Sequence, residues 1–135
     1  MALESLNDVE EIGGFKVIVM DKLREQYPEK FNESGAMDYQ WFEKEIRPQH
    51  FVYVRQDVNS ISFTLQKGPI KEVGVNGCQV GTLILAAQLI LEGLNRERPC
   101  YENENAINNL VSAALWLAQR KINREARGVE GTSQP

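Results

Sequence analysis

Between Val80 and Leu94 the chain is apolar on almost every side. Leu83, Leu85, Ala86, Leu89, Ile90 and Leu91 fall around the whole circumference of a helix, and only Thr82, Gln88 and Glu92 are polar in its middle. A helix of this kind needs cover on nearly every side. One partner helix and a small sheet fall short of that cover, so the segment predicts a homo-oligomer; a sheet lying over the open side is the competing solution. The 135 residues suit one domain, or one small domain with an appendage.

The remaining segments give the fold class. FKVIVM (15–20), after Gly13-Gly14, reads as a strand; HFVYVR (50–55) and ISFTL (61–65), joined by the turn-prone QDVNS, read as a hairpin with one buried face. Residues 22–46 are helical in pieces, broken at Pro28 and NESG (32–35), with Asp38 placed to cap a short helix through Ile46. QKGPIKEVGVNGCQ (66–79) is a shaped loop in which Asn76 is expected to cap the following helix, with Gln79 as reciprocal partner. After NRERPCY (95–101) a second helix runs from Glu102 to Arg127, about 39 Å, and stops at Gly128. The tail VEGTSQP is expected to be flexible or docked in the assembly. The expectation is therefore an α+β chain: a small N-terminal antiparallel sheet with short helices over 1–67, then a shaped loop and an α-helical hairpin over 68–135.

Composition excludes several classes of function. With 42% hydrophobic and 25% charged residues the chain is neither disordered nor a rod. No apolar run is long enough to span a membrane, and the acidic start MALESLNDVEEIGG has no signal-peptide pattern. Cys78 and Cys100 suggest a reducing cytosol rather than a disulfide framework. A net charge of −4 argues against polymeric nucleic acid. The charge is uneven, however: residues 1–46 carry eleven acids and five bases, whereas 47–135 carry ten bases and eight acids. Between Ala106 and Gly128 the charged residues are Arg120, Lys121, Arg124, Glu125 and Arg127, a sequence that attracts a small anion.

The second helix carries the chemistry. Asn109, Ala113, Trp116, Arg120, Arg124 and Arg127 recur at spacings of four and three, one stripe along the helix. An indole offers a flat face to a nucleobase, and guanidiniums offer bidentate hydrogen bonds to phosphate. The same arginines also suit the helix macrodipole, and a tryptophan also suits a core. Glu102 and Asn103 lie in the first turn, where free backbone N–H groups hold an anion or simply start a helix. Catalytic groups are sparse. His50 has no motif around it, Cys78 near a helix start is a weak nucleophile candidate or a small buried residue, and the two cysteines and one histidine lack zinc spacing. No Walker loop, GxGxxG or GxSxG motif occurs.

From Gly68 to Thr132 the pattern becomes specific. GPIKEVGVNGCQ, an apolar helix, PCYENENAI and LWLAQRKINREARGVEGT resemble the hairpin domain shared by two phage counter-defence families, the Thoeris anti-defence sponges and the anti-CBASS cyclic-oligonucleotide sponges. The shared residues are Pro99, Cys100, Glu102, Asn103, Trp116, Arg120, Arg124 and the run Arg127 to Thr132. The additional N-terminal sheet region makes the Thoeris anti-defence family the better match. The resemblance implies a protein of the infected host's cytoplasm with no enzymatic activity and no cofactor. Such a protein sequesters glycocyclic ADP-ribose and assembles from dimers into hexamers. A second kind of site in these families holds cyclic trinucleotides. Carried over by position, Asn103, Arg120 and Arg124 line the cyclic ADP-ribose pocket, and Arg127 and Thr132 belong to the trinucleotide site. Lys71 is a further contact. The aromatic that stacks on adenine in some relatives is replaced here by Leu94, with Tyr101 or an N-terminal aromatic as other partners for the base. An enzyme hydrolysing the cyclic signal and a phage protein–protein adaptor are the competing readings.

Overall fold

The computed structural model of the chain describes residues 2–135. The elements, in order, are α1 (Glu4–Asn7), β1 (Glu11–Ile12), β2 (Phe15–Val19), α2 (Met20–Gln26), α3 (Tyr39–Trp41), β3 (His50–Arg55), β4 (Ser60–Phe63), α4 (Ile70–Val73), α5 (Val80–Glu97) and α6 (Tyr101–Ala126). Short 3-10 turns at Pro28–Lys30 and Arg47–Gln49 and a π-helical segment at Phe42–Ile46 complete the N-terminal half.

The sheet is four-stranded in the order β1-β2-β3-β4, and it is mixed, which corrects the antiparallel expectation. β1 and β2 form a tight hairpin because Gly13 and Gly14 both take positive φ, 62° and 84°, the requirement of a two-residue turn with the twist of the strands it joins. β3 and β4 are antiparallel as expected, pairing Val52 with Phe63 and Val54 with Ile61. β2 and β3, however, run parallel. Met20 leaves the strand to begin α2, and the helical pieces up to Gln49 carry the chain back to the starting edge, as a parallel pair demands. Asp38 caps α3 as its position suggests, its carboxylate accepting from Trp41 N.

Alternation sorts the strands onto two cores. Ile12, Val19, Val52 and Val54 pack with Leu3, Leu6, Cys78 and Ala86 beneath α1 and α5, while Ile18, Leu23, Phe42 and Ile46 form the other layer. The sheet thus covers one side of α5, and α6 folds back along another. Within the protomer only Thr82 and Ala86 of α5 are fully buried. On the outer side of α6, Val111, Leu115 and Ile122 stay exposed, Leu115 by 65%; spacings of four and seven put them on one stripe.

The loop before α5 departs from expectation. Asn76 does not cap the helix: its amide is engaged by Lys67, accepting from the backbone N and donating to the O at 2.8 Å each. Gln66 closes the same loop, donating to Gly68 O and Gly74 O and accepting from Asn76 N. The helix starts after Gln79, which supplies no side-chain cap. α6 has a cap that the sequence did not suggest, the Sγ of Cys100 accepting from Asn103 N at 3.4 Å.

Gly77 locks this loop to the sheet, since a Cβ there would lie 2.3 Å from Leu65 C. Gly81, at the start of α5, has nothing within 4 Å of such an atom. Gly77→Ala is expected to lower stability by about 3 kcal/mol or more and Gly81→Ala to leave it unchanged or slightly raised, measured by urea denaturation.

Candidate functional site

The cationic end of the hairpin is built by a chain reversal. At the end of α6, Gly128 takes φ 72°. Gly128 N donates to Glu125 O and Val129 N to Arg124 O, each at 3.0 Å, the paired bonds of a Schellman motif. Residues 129–132 therefore run back beside the last turns of the helix that precedes them. Arg124 holds them there. Its guanidinium, only 7% exposed, donates through Nη2 to Val129 O (2.9 Å) and Thr132 O (3.2 Å), and its Nε stands 3.7 Å from Glu130 Oε2. From the other side Lys71 N donates to Gly131 O at 2.8 Å, and Ser133 Oγ donates to Glu72 at 3.1 Å. A Cβ at Gly131 would meet Lys71 Cγ at 2.9 Å. The tail is thus docked on its own protomer and not flexible.

Two hollows flank this end of α6. The larger, about 500 Å³, lies between the loop Leu65–Ile70, the start of α5 at Gln79, Val80 and Leu83, the arginines 120 and 124, and the tail at Glu130–Thr132. The smaller, about 420 Å³, is walled by Trp116, Gln119, Arg120, Asn123, Arg124, Arg127 and Pro135. Arg120 and Arg124 belong to both. Among the described residues the Arg120 guanidinium makes no hydrogen bond or ion pair, whereas Arg124 is engaged with the tail and Arg127 donates to Pro135 O at 2.8 Å. A charged fork with its donors unused, set between two concavities, is the arrangement that bidentate phosphate recognition requires.

The residues expected in the site fall into two groups. Arg120, Arg124, Arg127, Thr132 and Lys71 are together at the tail end. Thr132 Oγ1 donates to Val129 O at 2.6 Å, and Lys71 touches the tail through its backbone. Leu94 and Asn103 are at the opposite, connecting end of the hairpin. Seventeen residues of helix separate Asn103 from Arg120, about 26 Å of rise, so one protomer does not bring them to a common ligand. Gln79, Leu83 and Glu130 line the larger hollow without having been expected there; the Gly128 stop and the RGVEGT run were the signals that the chain folds back onto this region.

The two candidate groups for covalent chemistry are a hydrogen-bonded histidine and a buried thiol. His50 Nδ1 lies 2.6 Å from Ile46 O. Cys78 reaches the floor of the larger hollow, but burial pushes its thiol up, and a hydrogen bond with Thr82 offsets this only in part. Among the described residues no group of three or more His, Cys, Asp or Glu is placed to hold a metal ion, and no helix is long and apolar enough to cross a membrane. A third hollow, about 470 Å³ beside β2 and α2, contains Lys16 and Lys22, but these bond to Gln49 and to Asn7 O.

Fold and site together define an α+β protein whose helical hairpin carries a guanidinium-rich, aromatic-edged groove. Over 70 residues, 51% of this chain, it is 43% identical to Thoeris anti-defense 1 of Bacillus phage SBSphiJ7. Over that stretch the chain is similar to a Thoeris anti-defence protein, and it spans about half the length of that curated relative. No family model matches.

Two measurements check the site's construction. Arg124→Ala removes two charge-assisted bonds and should cost about 3 kcal/mol, with hydrogen exchange accelerating at Val129 and Thr132 before the rest of α6. A thiol reagent should modify Cys100 in the native protein and Cys78 only after denaturation, because Cys78 is buried and Cys100 exposed.

Proposed function

We propose that this protein sequesters a cyclic ADP-ribose-type immune signal, glycocyclic ADP-ribose, without turning it over, and so blocks Thoeris antiphage defence in the cytoplasm of the infected cell. The observation that carries the reading is Arg120, an unengaged guanidinium between two hollows, beside an Arg124 whose position is already fixed. The relative's anti-defence name supports it. A diphosphate needs about two cationic partners, each worth roughly 1.5–3 kcal/mol. With stacking or apolar contact to a base at about 1–3 kcal/mol, these contacts sum to roughly 4–9 kcal/mol, and the rest of the approximately 12 kcal/mol of nanomolar binding falls to contacts from a second protomer. Prepaid ordering of the arginines limits the cost of binding. A buried, protonated Cys78 thiol suits a binder better than a hydrolase.

Self-association completes this reading. A second protomer on the exposed Val111–Leu115–Ile122 stripe gives α6 the cover it lacks. It also provides the route by which Leu94 and Asn103 of one chain reach the arginines of another. Dimers assembling into hexamers, with Arg127 and Thr132 serving a separate site for cyclic trinucleotides, extend the same proposal.

Ligand recovered by heating the saturated protein should be intact; recovery of linear ADP-ribose or AMP, or loss of signal at substoichiometric protein, would establish a hydrolase instead. Arg120→Ala should weaken binding at least a hundredfold in calorimetry while leaving the melting temperature within a degree or two, since its side chain has no hydrogen-bond or ion-pair partner among the described residues. Leu115→Glu should shift sedimentation toward the monomer. Failure to bind any cyclic nucleotide would favour a protein–protein adaptor.

A further inference from the structure

Trp116 is 75% exposed and makes no ring contact among the described residues. Within the protomer it is therefore not a core residue, and its position on α6 decides between the two remaining roles. At 3.6 residues per turn, Val111, Leu115 and Ile122 point within about 40° of one another, while Trp116 is turned about 100–140° away from them. Trp116 instead lies within about 40° of Arg120, Asn123 and Arg127 by the same geometry. A second copy seated on the apolar stripe would leave the indole on the polar flank, facing the 420 Å³ hollow that it walls with those residues.

We propose that Trp116 is a stacking platform for a nucleobase, with Arg120 holding the attached phosphate. The site then takes a nucleotide read through both its base and its phosphate, not a bare phosphate ester. This inference rests on the nucleotide-binding reading above. Arg120 stands one turn beyond Trp116, about 6 Å along the axis, a span that a ribose bridges between its base and its 5′-phosphate. Asn123 supplies the edge contact. Its Oδ1 accepts from Gln119 at 3.0 Å, which leaves its amide N–H groups to donate to ring nitrogens or a carbonyl of the base. Stacking on an aromatic face tolerates any base, so the platform sets affinity for a nucleotide as a class and Asn123 sets preference within it.

The chain has two tryptophans, so Trp41→Phe leaves Trp116 as the sole indole reporter. In that variant glycocyclic ADP-ribose should quench the fluorescence saturably, and inorganic pyrophosphate should not. In calorimetry Trp116→Ala should weaken nucleotide binding about tenfold or more, Trp116→Phe should restore most of it, and neither should alter the melting temperature. Full nucleotide affinity in Trp116→Ala, with binding still lost in Arg120→Ala, would overturn the platform and leave the nucleotide reading standing. No binding of the nucleotide by the unmodified protein would overturn both.

Discussion

The cationic end of this molecule depends on one buried guanidinium. Arg124 bonds to the carbonyls of Val129 and Thr132 and stands beside the Glu130 carboxylate. Without it the segment after Gly128 would keep the reversal at Gly128 and the contacts from Lys71 and Glu72, but would lose the two side-chain bonds that tie it to α6. With it, the tail becomes a wall, the larger hollow acquires its third side, and Arg120 is left as a charge with no ion-pair partner among the described residues. A buried charge is tolerated only when it is hydrogen-bonded and paired, and here the partners are supplied by the element that the charge organises. Arrangement and electrostatics are the same fact seen twice.

That division of labour separates two arginines that look equivalent in the sequence. Arg120 and Arg124 are one turn apart on one helix, and both match the pattern R-x3-R-x2-RGVEGT. Their surroundings differ because Arg124 is buried against the tail, while Arg120 stays exposed at the edge of both hollows. Helical spacing gives the direction of a side chain relative to its neighbours; it does not say which direction the rest of the protein occupies. The same limit explains Trp116, for which periodicity allowed a core place or a platform until the packing of α6 left it exposed.

Much of the architecture was nonetheless legible. The strands at 15–19, 50–55 and 60–63 follow from β-branched alternation, Asp38 from its capping chemistry, and the two long helices from apolar period and the Gly128 stop. What was not legible was non-local. The parallel pairing of β2 with β3 arises from how a chain of short helices between them closes, and no local pattern encodes strand direction. The Asn76 amide was misassigned because a side chain that can cap a helix can equally satisfy a loop, and Lys67 lay closer. The site was half visible: the motif named residues at both ends of the hairpin, but a linear pattern cannot show that Asn103 lies about 26 Å of helix from Arg120 and that Leu94 sits at the same far end on α5. The sulfur cap at Cys100 escaped notice because thiols are weak acceptors and seldom read as caps.

The parallel strand pair also bears on how the chain reaches this shape. The hairpins β1–β2 and β3–β4 and the pair α5–α6 join neighbours in sequence and close over short loops. β2 and β3 meet only after the roughly thirty residues between them have been gathered in, and loop-closure entropy must be overcome before that contact returns anything. The late step in folding is therefore the seating of the sheet's two halves against each other. Because α5 packs its Ala86 into the core they share, the helical hairpin, whose contacts are local, is expected to take its final place only when that central seam has closed.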